Sequence, residues 1–280
     1  MIVKKKKWTI GKTIKILIYR FFDDEVLALS SQLAYGLIIS VFPFLMFLIT
    51  LVGFLPIQSE DVLIGMKQML PQNAYVLLHN TVVEIVDTQN GNLLSLSLII
   101  TIWASSAGFR AVIRGLNKAY DVEEHRSFIK VLFITIISTF GLALILIMSI
   151  IFLVFGRAIG QKILFKLGFS YEFKRIWNIF RYVVMLSTTT FIFAALYYYT
   201  PSRRLKWREV FPGAIFATIA WIIASIGFSF YVDHFNNYSR LYGSIGTVIV
   251  FLVWLYLTSI IIIMGGEINA VNALKKKETY

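Results

Sequence analysis

Six long apolar runs, at about residues 33–55, 93–109, 129–155, 182–200, 210–232 and 243–266, alternate with shorter segments that carry nearly all the charge. A hydrocarbon layer about 30 Å thick takes about 20 apolar residues of helix to cross. Within lipid each backbone N–H and C=O has to be bonded inside its own segment, which makes helices the default spanning element. The pattern therefore predicts an all-α, polytopic membrane protein with six transmembrane helices. Ahead of the first run, residues 8–22 interleave Lys12, Lys15 and Arg20 with Ile14, Leu17, Ile18, Phe21 and Phe22. That spacing predicts an amphipathic helix lying on the membrane surface and retained in the protein. One integral membrane domain is expected over 1–280: an amphipathic segment at 1–27, a six-helix bundle at 28–272 and a basic tail at 273–280.

Composition agrees. Hydrophobic residues make up 58% of the chain and charged residues 15%, where a soluble domain carries about 25% charge. The net charge of +12 is set at the ends of the apolar runs, so lipid attraction and topology account for it and nucleic acid is not a predicted partner. With the N-terminus in the cytoplasm, 19 of the 27 Lys and Arg fall on the inner side. The positive-inside rule then puts both termini in the cytoplasm.

Two outer segments differ in kind. Residues 156–181 hold six basic residues, among them Lys162, Lys166, Lys174, Arg175 and Arg181, interleaved with aromatics. They read either as snorkelling anchors or as a site for anionic head groups in the outer leaflet. Residues 56–92 are acidic and predict two short amphipathic helices over the outer mouth of the bundle, divided at Pro71.

The spans carry no mid-membrane charge but many hydroxyls: Ser95, Ser97, Ser105, Ser106, Ser138, Thr139, Ser187 to Thr190, Ser225, Ser229, Ser244 and Thr247. These are packing glue between helices or the lining of a polar path. Pro43 predicts a kink in the first span. On the inner side Arg110, Arg114 and Asn117 share a helix face, and the sixth span ends in Gly265-Gly266-Glu267-Ile268-Asn269. An ion pair from Glu267 to Arg110 or Arg114 would join helices two and six; the alternative is a substrate or head-group site built from the same residues. There is no cysteine, and His79, His125 and His234 stand far apart outside any zinc spacing, so no metal is expected. No GxxxxGK[ST] motif occurs, and no cofactor is predicted.

Several segments taken in order resemble the YihY/BrkB family of bacterial inner-membrane proteins, once mislabelled ribonuclease BN. They are Ala28 to Pro43, Ser106 to Val122 with Arg126-Ser127-Phe128, Tyr199-Thr200-Pro201 with Arg203-Arg204, Trp207 and Phe211 to Ala214, and Tyr242 to Gly246 with Gly266-Glu267-Ile268-Asn269-Ala270. The resemblance covers about residues 15–272. Gly266 stands where the family usually has Ala. It implies a bacterial plasma-membrane location and no catalytic residues. Scattered acids and histidines are a poor basis for metal-dependent RNA cleavage. The expectation is a non-enzymatic transporter or flippase-like protein for a lipid or amphipathic envelope component, with a non-transporting scaffold or regulator as the alternative. Membrane lipids, anionic ones included, are the expected partners, and Gly and Ser on the span faces permit a homo-oligomer.

Overall fold

The computed structural model describes residues 9–54, 91–141, 144–145, 171–234 and 237–279, with a few single positions between 60 and 83. All described secondary structure is helical. The elements are α1 (Ile10–Asp23), α2 (Val26–Gly53), α3 (Gly91–Ala119), α4 (Phe128–Gly141), α5 (Tyr171–Tyr199), α6 (Trp207–His234) and α7 (Asn237–Thr279). Four stretches are long and apolar enough to cross a bilayer: Val26–Leu51, Gly91–Ala119, Trp207–Val232 and Val248–Lys275. Phe128–Gly141 and Val183–Tyr199 are shorter apolar helices. The predicted outer helices of 56–92 fall almost wholly outside the described residues.

The helices overrun their apolar runs. α2 begins at Val26 and holds Pro43 in its interior. α7, with 43 residues, is about 65 Å long at 1.5 Å per residue, about twice the hydrocarbon thickness. Along α3 the exposed positions change in character, from Leu96, Ile99, Ile100 and Trp103 to Arg110, Arg114 and Lys118.

Two compact units are present. The first gathers Met1–Ile38, Ala107–Ile134 and Val184–Tyr280; the second gathers Ile39–Ser106 and Thr135–Val183. Their interiors differ chemically. Among the described residues, every buried polar side chain of the second unit is a hydroxyl: Ser40, Thr50, Ser97, Thr101, Ser105, Ser106, Thr135 and Thr139. Buried polar groups in the first unit include Asp24, Asn117, Glu267 and Asn269.

In the first unit, α6 turns Val210, Ala214, Ala217 and Thr218 inward and leaves Ile215, Ile219, Ile223, Ile226 and Phe230 exposed. Small residues inside and large ones outside are what membrane helices show, because lipid tails solvate the exposed face and close backbone approach supplies the packing. α6 meets α7 where Gly213 faces Gly265. A Cβ on Gly213 would overlap the Gly265 carbonyl oxygen and the Asn269 side chain, and one on Gly265 would overlap the Tyr197 hydroxyl. Tyr197 Oη donates to the Ile262 carbonyl at 2.9 Å, and Thr190 and Thr218 join hydroxyls at 3.1 Å. On the next face of α7, a Cβ on Gly266 would overlap Leu116 of α3.

Gly213→Ala is expected to destabilise the detergent-solubilised protein by the roughly 1–3 kcal/mol typical of overpacking and so to lower its thermal midpoint. Gly227→Ala on the same helix, with nothing within 4 Å of the added carbon, is expected to leave the midpoint unchanged or raised. Melting both variants by circular dichroism checks the pair.

Candidate functional site

The GGEIN segment at 265–269 distributes its side chains around α7 so that each meets a different neighbour. Gly265 takes α6 and Tyr197, and Gly266 takes α3. Asn269, 1% exposed, mends a break in α6. Pro212 has no N–H and interrupts the i→i−4 ladder one turn into that helix. The following N–H, of Gly213, donates to Asn269 Oδ1 at 2.7 Å, and Asn269 Nδ2 donates to the Val210 carbonyl at 3.1 Å. One side-chain amide thus supplies both an acceptor and a donor to the α6 backbone on either side of the proline.

Glu267 is fully buried, and its partner is Arg20 of α1. The guanidinium is only 12% exposed and reaches four acceptors. Nη2 lies 2.7 Å from Asp121, while Nη1 donates to the Ala119 carbonyl at 2.7 Å and lies 3.4 Å from Asp24 and 3.3 Å from Glu267. Nη1 has two hydrogens. One goes to the carbonyl, so Asp24 and Glu267 share the other, and Glu267 Oε1 has no partner among the described residues. Lys118 adds a second cation 3.8 Å from Asp24. Burial drives the Asp24 carboxyl above its ordinary range, with Arg20 pulling it back. Burial also disfavours the Arg20 cation, but the Asp121 hydrogen bond and the Glu267 charge outweigh it and raise its pKa.

Two turns bring these groups together. Glu25 and Asp121 both take left-handed backbone, at φ 51 and 53, unusual for residues with a Cβ. At Asp121 the αL residue closes α3 in a Schellman-like cap, with the Val122 N–H donating to the Asn117 carbonyl at 3.0 Å.

A second network surrounds Asn117. Its Nδ2 donates to Glu124 at 2.9 Å and its Oδ1 accepts from the Ser202 N–H at 2.8 Å. Arg126 grips Glu124 through Nε and Nη2, at 2.8 and 2.7 Å, and extends Nη2 to the Thr200 carbonyl at 2.7 Å. The connection after α3 is thereby tied to the connection before α6. Fork bonding by Arg126, stronger than the burial that opposes it, holds the Glu124 carboxyl down at about 2.

The expected Glu267 pair with Arg110 or Arg114 does not form. Both arginines are exposed and, among the described residues, make no ion pair or hydrogen bond. They sit on the outward face of α3, while Asn117, three residues after Arg114, faces inward. Lys162 and Lys166 lie outside the described residues, as do the side chains of Lys174, Arg175 and Arg181 in α5. Sequence reading missed Arg20, Asp121, Glu124 and Arg126 as site residues. Arg20 did leave a signal: it is a lone cation among Ile16 to Phe22, four residues before Asp24.

Residues 17–280 match the model of the family described as Virulence factor BrkB. The chain belongs to the BrkB family. Among its relatives is YfkH of Bacillus subtilis (strain 168), named as ribonuclease-like, 42% identical over 94% of this chain and 96% of that protein. A UPF0761 membrane protein of Alteromonas mediterranea is 27% identical over 90% of this chain and 84% of its own. Another, of Coxiella burnetii (strain Dugway 5J108-111), is 25% identical over 94% of each. No solved structure matches this chain. In this BrkB-family member the Glu-Ile-Asn end of the last span is therefore a three-helix junction: Glu267 to α1, Asn269 to α6, and Gly266 to α3.

Arg20→Ala is expected to destabilise the protein by about 3–5 kcal/mol, because it strands Glu267 and Asp24 as buried charges. Adding Glu267→Gln should recover part of that loss in a thermal-melt double-mutant cycle. Glu124 supplies a pH test. Its folded pKa is depressed, so its contribution is complete above its ordinary value of 4.5 and is lost as pH falls toward about 2. Glu124→Gln should flatten that acid limb in a series of melts between pH 6 and pH 3.

Proposed function

We propose that this membrane protein moves a lipid, or another amphipathic envelope component, between leaflets of the bacterial plasma membrane, with both termini cytoplasmic. The observation that carries this reading is that, among the described residues, the buried polar side chains of the second unit are all neutral hydroxyls. A lipid keeps its tails in the bilayer while its head group crosses. The crossing therefore needs hydrogen-bonding groups without fixed charge, and Ser40, Thr50, Ser97, Thr101, Ser105, Ser106, Thr135 and Thr139 are such groups. Thr101 Oγ1 is buried with no partner among the described residues, so it is available to a passing polar group.

The orientation rests on charge. The end of the first unit that carries Arg20, Arg110, Arg114, Lys118, Arg126 and the 203–208 basic segment goes inside by the positive-inside rule. Ribonuclease chemistry is disfavoured because the carboxylates that do converge, Asp24, Asp121 and Glu267, converge on a guanidinium that already occupies the place a catalytic cation would need.

One observation favours a non-transporting scaffold as the second reading. Several of the same hydroxyls bond back to their own helices, Ser97 to Leu94, Ser106 to Trp103, Thr139 to Thr135 and Thr50 to Met46. Such bonds also occur in helices that are merely packed.

Reconstitution separates the two. Purified protein in liposomes is expected to speed leaflet exchange of a fluorescent phospholipid. Thr101→Val with Thr139→Val should slow the exchange by roughly tenfold, the equivalent of about 1.4 kcal/mol on the barrier. Exchange no faster than in protein-free liposomes would sink the transport reading. Loss of cellular activity on charge reversal at Arg203, Arg204 and Arg208, with lipid binding intact, would then put the scaffold in its place.

A further inference from the structure

Arginines of the first unit are used in two ways. Arg20 and Arg126 are saturated, the first by three carboxylates and a carbonyl, the second by Glu124 and the Thr200 carbonyl. Arg110 and Arg114 are exposed one turn apart on α3, and among the described residues nothing in the protein pairs with either. Like charges at i and i+4 repel by a few tenths of a kcal/mol when left alone.

Their surroundings define the missing partner. A Cβ on Gly108 would lie 3.5 Å from the Gly36 backbone, and Lys118 reaches Asp24 just before α2. These two contacts put α2 against the Gly108 side of α3, and Arg110 and Arg114, about 200° and 240° further round the helix, face away from it. On α3 itself Trp103, 75% exposed, stands two turns before Arg110 on the same face, so the two guanidiniums end a bare apolar stripe.

We propose that Arg110 and Arg114 form a binding site for the phosphate of an anionic phospholipid. Guanidiniums present donors in a fork that matches phosphate oxygens, which a lysine pair does not. The lipid source, and not a free phosphate, follows from that stripe: acyl chains cover the exposed face of Trp103, Ile99 and Leu96 that leads to the guanidiniums, and a soluble anion leaves it bare. The inference rests on the proposed function for its physiological meaning but not for its test, since binding can be measured without transport.

The test is native mass spectrometry of the full chain equilibrated in detergent with equal amounts of phosphatidylglycerol and phosphatidylcholine of identical tails. The wild type is expected to retain one phosphatidylglycerol with about tenfold preference, within reach of one charge-assisted hydrogen bond. Arg110→Gln with Arg114→Gln should abolish the preference. Arg204→Gln with Arg208→Gln, equally exposed arginines elsewhere, should keep it. No preference in the wild type, an unchanged preference in the Arg110/Arg114 variant, or equal loss in the control pair would each overturn the proposal. Displacement of the lipid by millimolar glycerol 3-phosphate would overturn the lipid assignment in favour of a soluble anion. Preference without leaflet exchange in liposomes would retire the transport reading and leave this site standing. Exchange by a wild type that shows no preference would do the reverse.

Discussion

A largely buried guanidinium shared by three carboxylates and a backbone carbonyl is the constraint on which the first unit depends. Taking a charge out of water costs several kcal/mol unless partners replace the lost hydration. Arg20 meets that condition only where α1, the end of α3 and α7 come together, since Asp24, Asp121, the Ala119 carbonyl and Glu267 belong to different segments. None of the segments supplies the set alone. The charge therefore selects one arrangement of three helices from the many that apolar faces in lipid would allow. In a bilayer this matters more than in water, because burial of apolar surface gives helices little reason to prefer one another.

Around that junction the chain spends its small and amide residues on backbone contact. Gly213, Gly265 and Gly266 let helices approach to where a single methyl group would overlap a neighbour, and Asn269 lends its amide to the ladder that Pro212 interrupts. The Asn117, Glu124 and Arg126 network then ties the connections at the same end. The second unit holds no comparable ionic or amide clasp among the described residues; its buried polar groups are neutral hydroxyls. Among the described residues, one unit is held by directional, charge-assisted bonds, and the buried polar groups of the other are hydroxyls.

The helical class was legible because a hydrocarbon-length apolar run has few other outcomes, and the run at 243–266 duly lies inside α7. The ends were not legible. α2, α3 and α7 continue past their apolar runs on residues such as Ser31, Arg114 and Asn272, whose hydration carries no periodic signal strong enough to mark a stop. Glu267 and Asn269 stood out in the sequence because a carboxylate and an amide follow a long apolar run. Their partners did not, since Arg20 and Gly213 are remote in sequence and each has a bland local explanation, as a snorkelling cation or a helix-start glycine. Arg110 and Arg114 were grouped with Asn117 by spacing alone. Three and four residues share a broad face, but only the packing decides where the boundary between inside and outside cuts that face.

The amide of Asn269 has a mechanical consequence. With one donor and one acceptor spent on α6 backbone, and Gly213 set against Gly265, α6 and α7 cannot slide or rotate past each other without first breaking bonds in a place water does not reach. The pair behaves as a single strut. Whatever conformational cycle the protein runs, its hinges have to lie outside that strut, and helices joined only by hydroxyls and apolar contacts are the ones free to bend.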